Sequence, residues 1–93
     1  MTEQSIQKKI TTYLKQQNIY NFKVISANKS GIPDIIALHQ GKFISIEVKT
    51  PKTKNNTSKL QEYQLNQIKE HGGYSLVAYE LQQVKDFINS LNG

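Results

Sequence analysis

The stretch GIPDIIALHQGKFISIEVK, residues 31–49, is the most informative part of this chain. A Gly-x-Pro turn leads into Asp34, and a short apolar run follows over 35–38. The residues HQG, 39–41, are typical of a tight turn, and 42–49 then alternates as a β-strand does. The pattern therefore predicts an antiparallel hairpin with Asp34 at its open end.

The second strand of this hairpin carries Glu47 and Lys49. Side chains two residues apart on a strand point to the same face, so these two stand together. Ile44, Ile46 and Val48 then point to the opposite face, into a core. Because an antiparallel hairpin pairs the start of one strand with the end of the other, Asp34 is expected close to Glu47 and Lys49.

Two carboxylates and a lysine at one place are costly to assemble, because like charges repel and raise each other's pKa. Mg²⁺ or Mn²⁺, hard ions that prefer oxygen ligands, relieve that repulsion. Lys49 would then orient the attacking water or share its proton, as metal-assisted phosphodiester hydrolysis requires. The alternative is a surface hairpin with scattered charges, since E-x-K is common in exposed strands. The Gly-x-Pro-Asp lead-in and the hairpin spacing favour the nuclease site.

The chain of 93 residues predicts one domain, 1–93, with a modest core. Apolar residues make up only 37%, so stability is expected to depend in part on a partner subunit. The absence of cysteine excludes a disulfide scaffold and a thiolate metal site. No apolar run approaches membrane-spanning length, and the polar N-terminus lacks a signal-peptide core. We therefore expect a cytoplasmic protein of a bacterial or phage-infected cell, without membrane contact.

The net charge is +5, and all twelve basic residues are lysine. A positive excess suits a polyanion such as DNA. Arginine is the usual reader of guanine edges, so its absence predicts binding through phosphates and DNA shape rather than base sequence. The alternative is that surface lysine only keeps a small protein soluble.

Two basic loops flank the predicted site. In the first, Lys29, Ser30 and the Gly31 backbone are candidates for phosphate contact, since glycine allows close backbone approach or a positive φ. The second loop, 50–59, has no apolar residue except Pro51. Its Lys52, Lys54 and Lys59 suggest a flexible DNA clamp that orders on binding, and the alternative is a solvated linker.

The helices predicted on either side of the hairpin contribute two further candidates. A helix over 3–17 places Glu3 on its apolar face, either as a first-turn acid favoured by the helix dipole or as an outer acidic group of the metal site. A second helix over 59–70 places Gln64 among the apolar residues of its inner face. Gln64 is either a satisfied core glutamine or a group that holds a water or phosphate oxygen, and we favour the latter. Gln61 is explained by a capping box with Ser58.

The remaining elements are a first strand around Phe22, Val24 and Ile25, a strand over 75–79 and a final helix over 80–91. Tyr20 and Phe22 are expected to pack in the core or at an edge rather than stack on a base. The passage from 42 to 79 predicts two parallel strands joined by a right-handed crossover.

With Pro33-Asp34, Glu47-Val48-Lys49 and Gln64 in this order, the chain resembles the PD-(D/E)xK nucleases. Within them it is most similar to the stand-alone virus-type replication-repair nuclease (VRR-Nuc) domain, with archaeal-type Holliday junction resolvases as close relatives in plan. The resemblance implies a restriction-endonuclease-like α/β fold with a small mixed sheet in a three-layer core. It also implies Mg²⁺- or Mn²⁺-dependent cleavage of DNA by a homodimer. Asp34, Glu47 and the Val48 carbonyl would bind the ion, Lys49 would activate water, and Gln64 and Glu3 would support the site.

These features together favour a structure-selective DNA endonuclease, a dimeric resolvase that nicks four-way junctions. One alternative is a less selective nickase or a restriction-like nuclease that needs a partner. The other is a non-catalytic DNA-binding module, although a pure binder has no use for clustered acids facing phosphate. The final helix and the edge strand are the candidates for the dimer surface.

Overall fold

The computed structural model describes residues 1–92 as a four-stranded sheet with three helices. In chain order the elements are α1 (Glu3–Gln16), β1 (Tyr20–Lys23), β2 (Ile35–His39), β3 (Lys42–Val48), α2 (Lys59–Glu70), β4 (Tyr74–Ala78) and α3 (Leu81–Leu91). None of the helices in this part of the chain is long and apolar enough to cross a membrane.

The sheet is mixed, with the strands in the order β1-β2-β3-β4. The β1–β2 and β2–β3 pairs are antiparallel, and β3 and β4 are parallel. Ile35 stands opposite Ile46, so the next residues toward the open end of the hairpin are Asp34 and Glu47. The predicted hairpin and the predicted parallel crossover are therefore confirmed.

The two faces of the sheet have different partners. Ile44, Ile46 and Val48 are fully buried against α1 and α3, where Ile6, Ile10, Leu14, Val84 and Ile88 complete the core. The opposite face packs on α2, since Ser75 Oγ donates to the Leu65 carbonyl at 2.9 Å. Helices lie on both faces of the mixed sheet, with α2 packed on the β4 side, and this confirms the predicted three-layer α/β architecture.

The first strand begins earlier than predicted. Strand β1 covers Tyr20–Lys23, whereas Val24 and Ile25 lie beyond it and Ile25 is 89 % exposed. The Val24 N–H still donates to the Asp34 carbonyl at 2.8 Å, so the chain remains attached to β2 after the strand ends. The apolar residues Val24 and Ile25 suggested a later position for β1, but the backbone hydrogen bonds with β2 determine where the strand lies.

Candidate active site

Asp34 is anchored to the end of β3. Its Oδ2 accepts a hydrogen bond of 2.8 Å from the Val48 N–H. In an extended strand the N–H and C=O of one residue point to the same side, so the Val48 carbonyl faces the same edge as Asp34. Pro33, which is buried, fixes the backbone immediately before this acid. The bond places Asp34 at the residue between Glu47 and Lys49, where the hairpin pattern predicted it.

Glu47 is almost completely buried, at 3 % exposed, although it is a carboxyl group. Burial and, next, the nearby Asp34 charge raise the pKa of Glu47 to about 8, and the Lys49 ammonium offsets only part of this. A hydrogen bond between the two acids and the charge of Glu3 add to the same effect. A carboxyl group whose pKa is raised by burial and by a second acid is typical of functional sites.

Lys49 and Gln61 complete a connected polar group around Glu47. Lys49 is buried, with Nζ 3.9 Å from Glu47 Oε2. The same Nζ donates to Gln61 Oε1 at 3.1 Å, and Gln61 Nε2 donates to Glu47 Oε2 at 3.0 Å. The lysine is therefore held in one position instead of moving freely in solvent.

Gln61 is the glutamine whose side chain bonds to Glu47 and Lys49, a contact that the sequence did not predict. Gln64, half-buried one turn further along α2, stays a prediction as a site residue. Gln61 also forms the predicted capping box, because its Oε1 accepts from the Ser58 N–H at 2.9 Å. An amide has a donor group and an acceptor group, and the cap uses only the acceptor. A capping glutamine keeps a free Nε2 donor, and Gln61 follows the E-x-K strand by one loop. This combination was the sequence signal that could have identified Gln61 as a site residue. Leu60, expected on the inner face, is 56 % exposed.

Glu3 lies in the first turn of α1 and is half-buried. Its charge contributes to the raised pKa of Glu47, which places it near the site. The first-turn position is confirmed, and the role of Glu3 as an outer acidic group of a metal site stays a prediction.

Gly31 connects the first basic loop to α2. It has a φ of +80°, and a Cβ there would lie 2.6 Å from the carbonyl carbon of Leu60 and 2.8 Å from the Gln61 nitrogen. The close backbone approach predicted for this glycine is thus made to the first turn of α2. The contact joins the lead-in to Asp34 with the helix that carries Gln61.

The other candidate DNA contacts are exposed to solvent: Lys29, Ser30, Lys52, Lys54 and Lys59. The second basic loop is more structured than its composition suggested. Thr53 N–H donates to the Thr50 carbonyl at 3.0 Å, and Asn56 N–H donates to the Thr53 carbonyl at 2.8 Å. Lys54 Nζ lies 5.0 Å from the centre of the Tyr79 ring. These turns fix the loop beside the end of β4.

The donor set fits a hard divalent ion. Within residues 1–92 no group of three His, Cys, Asp or Glu side chains is placed to hold a metal. Mg²⁺ is commonly bound by only one or two carboxylates, with water and substrate phosphate oxygens completing its coordination. Asp34 and Glu47 supply two acids, and a cation beside them would relieve the repulsion that, after burial, raises the pKa of Glu47 to about 8.

Comparison with known proteins agrees with this arrangement. The family model described as archaeal Holliday junction resolvase (Hjc) matches residues 5–90. No curated protein matches the chain. Since the family match extends over nearly the whole sequence, including every element of the sheet and the carboxylate pair, the chain belongs to the archaeal Holliday junction resolvase family of structure-selective DNA endonucleases, within the PD-(D/E)xK superfamily.

Proposed function

We propose that this chain is a Mg²⁺- or Mn²⁺-dependent endonuclease that cuts four-way DNA junctions as a homodimer. The observation that carries the proposal is the buried Glu47 carboxyl beside Asp34, with Lys49 held 3.9 Å from Glu47 Oε2. Family membership supports the junction as substrate. The VRR-Nuc assignment within the superfamily stays a prediction.

In this proposal Asp34, Glu47 and the Val48 carbonyl hold the ion, and Glu3 adds negative charge from outside. The ion stabilises the charge that develops on the scissile phosphate. Asp34 Oδ2 accepts from the Val48 N–H and Glu47 Oε2 accepts from Gln61 Nε2, so the chain fixes the orientation of both carboxyl groups.

Lys49 is the group we assign to the attacking water. Its ammonium is fixed between Gln61 Oε1 and Glu47 Oε2, so a donor points to one defined place next to the carboxylates. Water would attack phosphorus opposite the leaving oxygen, and the P–O bond would break. The proton lost by the water would pass to solvent, and the leaving oxygen would take up a proton in turn. Gln61 acts as a positioning residue, because it holds both Lys49 and Glu47 while its own side chain is fixed by the Ser58 cap.

The DNA backbone would be bound by the exposed lysines that flank this site, Lys29 of the first loop and Lys52, Lys54 and Lys59 of the second. Ser30 and the Gly31 backbone are part of the same surface. The turns of the second loop and the contact of Lys54 with Tyr79 hold these charges near the end of β4. Contacts of this type position a duplex without reading its sequence.

An exposed apolar face of the sheet supports the dimer. Tyr20 of β1 pairs with Leu38 of β2, which pairs with Phe43 of β3, and these side chains are 67 %, 45 % and 42 % exposed. Phe22 stands beside Tyr20, with ring centres 6.1 Å apart. We call Tyr20, Phe22, Leu38 and Phe43 the open sheet face. Contiguous apolar surface of this kind marks interaction sites.

A second copy is the partner that fits the open sheet face. The open sheet face lies on the side of the sheet that also carries Glu47. It includes the edge strand β1, and the edge strand is one of the two dimer surfaces that the sequence suggested. A C₂ pairing through one patch on both copies would give two active sites related by symmetry. Two such sites match the two strands that must be cut in a symmetric junction.

The decisive experiment is cleavage of a labelled four-way junction beside matched linear duplex and single strand, in Mg²⁺, Mn²⁺ or EDTA. We expect paired symmetric nicks in the junction with either metal and none in EDTA. Asp34→Asn should abolish the nicks and retain junction binding. Equal cutting of all substrates would disprove junction selectivity, and cutting by Asp34→Asn would disprove the site.

A further inference from the structure

A cleft between α1 and α3 lies on the side of the sheet opposite α2. Its volume is about 480 Å³, and its lining includes Ser5, Lys8, Lys9, Thr12, Tyr13 and Lys85. It shares no residue with the carboxylate site or with the two basic loops. None of the roles assigned above uses it.

Lysine ammonium groups surround this cleft, whose own surface is mainly apolar and includes Leu81 and the Tyr13 ring. Three lysines from two helices line it, and none of its lining residues is acidic. Lys85 Nζ lies 5.6 Å from the centre of the Tyr13 ring, which holds that ammonium at the cleft through a cation–π contact. The hydroxyls of Ser5 and Thr12 add groups that can donate to an anion. The lining therefore favours a ligand with several negative charges.

The position of the cleft relates it to the active site. Helix α1 begins at Glu3, whose charge acts on Glu47, and Ser5, Lys8 and Lys9 follow within the next two turns. Leu81, which also lines the cleft, begins α3 three residues after Ala78, the strand partner of Val48. The cleft therefore starts at the end of the sheet that carries the carboxylates. The molecule measures only 33 × 31 × 23 Å. One turn of duplex DNA spans roughly 34 Å, which is close to the longest dimension of the protein. A junction arm that begins at the active site can therefore pass along another face of the protein.

We propose that the α1–α3 cleft binds the phosphate backbone of a junction arm other than the one being cut. The inference rests on the proposed function, which supplies a multi-armed polyanion as substrate. The cleft would hold that arm through Lys8, Lys9 and Lys85 without base contacts, and would favour branched DNA over a linear duplex that passes only the active site.

The test compares two charge-matched triple variants. One carries Lys8→Gln, Lys9→Gln and Lys85→Gln, and the other carries Lys23→Gln, Lys42→Gln and Lys69→Gln outside the cleft and the basic loops. Affinity for a labelled four-way junction and a short linear duplex is measured in EDTA over a salt series. Each lost phosphate contact lowers the slope of log K against log[salt] by about 0.9. We expect the cleft triple to lower the junction slope by about 2 to 3, and the short-duplex slope by less than about 1.

A third variant controls for folding and for charge. Lys8→Arg, Lys9→Arg and Lys85→Arg keep the charges and the contact with Tyr13, so this triple should bind the junction as the wild type does. Equal slopes for the two glutamine triples, with wild-type cutting intact, would overturn the cleft assignment and leave the nuclease in place. Failure of the wild type to bind or cut any DNA would overturn the proposed function as well.

Discussion

The carboxylate of Asp34 takes the place of a strand partner for Val48. Its Oδ2 accepts from the Val48 N–H at 2.8 Å, at the position where the β2–β3 register would bring Pro33 opposite Val48. The hairpin thus opens at its end, and a side chain replaces the backbone acceptor. One candidate ligand is fixed directly to the backbone that carries the second.

Substitution of Asp34 separates this structural role from the chemical one. Both Asp34→Asn and Asp34→Ala should abolish junction cutting, because each removes a charge from the proposed metal site. Asn retains an oxygen for the Val48 N–H, whereas Ala leaves that N–H unpaired, at a cost of about 1–3 kcal/mol. Urea unfolding should therefore rank Ala well below Asn. Equal midpoints for the two variants would show that the hydrogen bond does not stabilise the fold.

Gln61 and Gln64 provide a matched pair on one helix. Gln61→Ala removes the hydrogen bonds to Glu47 and Lys49 and part of the Ser58 cap, so we expect a loss of about 1–2 kcal/mol of stability and at least about tenfold of single-turnover cutting. Gln64→Ala, three residues along, should stay within about 0.5 kcal/mol and keep its activity. The reverse ranking would favour Gln64 as the site residue.

Gly31 and Gly41 test the packing of the first loop on α2. Both have positive φ, +80° and +78°, but a Cβ at Gly31 meets the Leu60 backbone at 2.6 Å while one at Gly41 meets nothing within 4 Å. Gly41→Ala should cost only the backbone strain, about 1 kcal/mol, and Gly31→Ala clearly more. Thermal unfolding measures the difference. Because the contact adjoins Asp34, cutting should fall in Gly31→Ala alone.

Glu47 makes the metal-free protein sensitive to pH. Burial and the Asp34 charge raise its pKa from 4.5 to about 8, so the folded state binds this proton more tightly than the unfolded chain. The stability that this difference in proton binding contributes is fully present below pH 4.5 and is lost as the pH rises through about 8. In EDTA, the free energy of unfolding should fall by at most about 1.4 kcal/mol per pH unit in that window.

The variant Glu47→Gln has no proton to lose and should show a flatter profile over the same window. It should also be more stable than the wild type at pH 9 in EDTA. Parallel profiles for the two proteins would mean that Glu47 does not cause the pH dependence.

The open sheet face predicts the oligomeric state. Leu38→Glu places a charge at its centre and should raise the dimer dissociation constant at least about tenfold in sedimentation equilibrium. Ile25→Glu is the control, since Ile25 is 89 % exposed but lies outside the sheet. A wild-type monomer at high concentration, or equal effects of both changes, would contradict the pairing through this face.

Local sequence carried much of the fold because its signals act over short distances. Alternation over 42–49 separated Glu47 and Lys49 from the core side chains Ile44, Ile46 and Val48. The Ser58 and Gln61 pair marked the start of α2 within one turn. Periodicity and capping depend on neighbours in the chain, so they can be read without knowing the rest of the molecule.

Only the tertiary structure decided which groups meet across elements. Gln61 reaches Glu47 from the first turn of α2, and Gly31 packs against the backbone of the same turn. The raised pKa of Glu47 depends on how far the assembled layers exclude water. The open sheet face and the α1–α3 cleft likewise exist only after distant strands and helices are packed. A single chain segment carries its own pattern, but burial and charge proximity are properties of the whole fold.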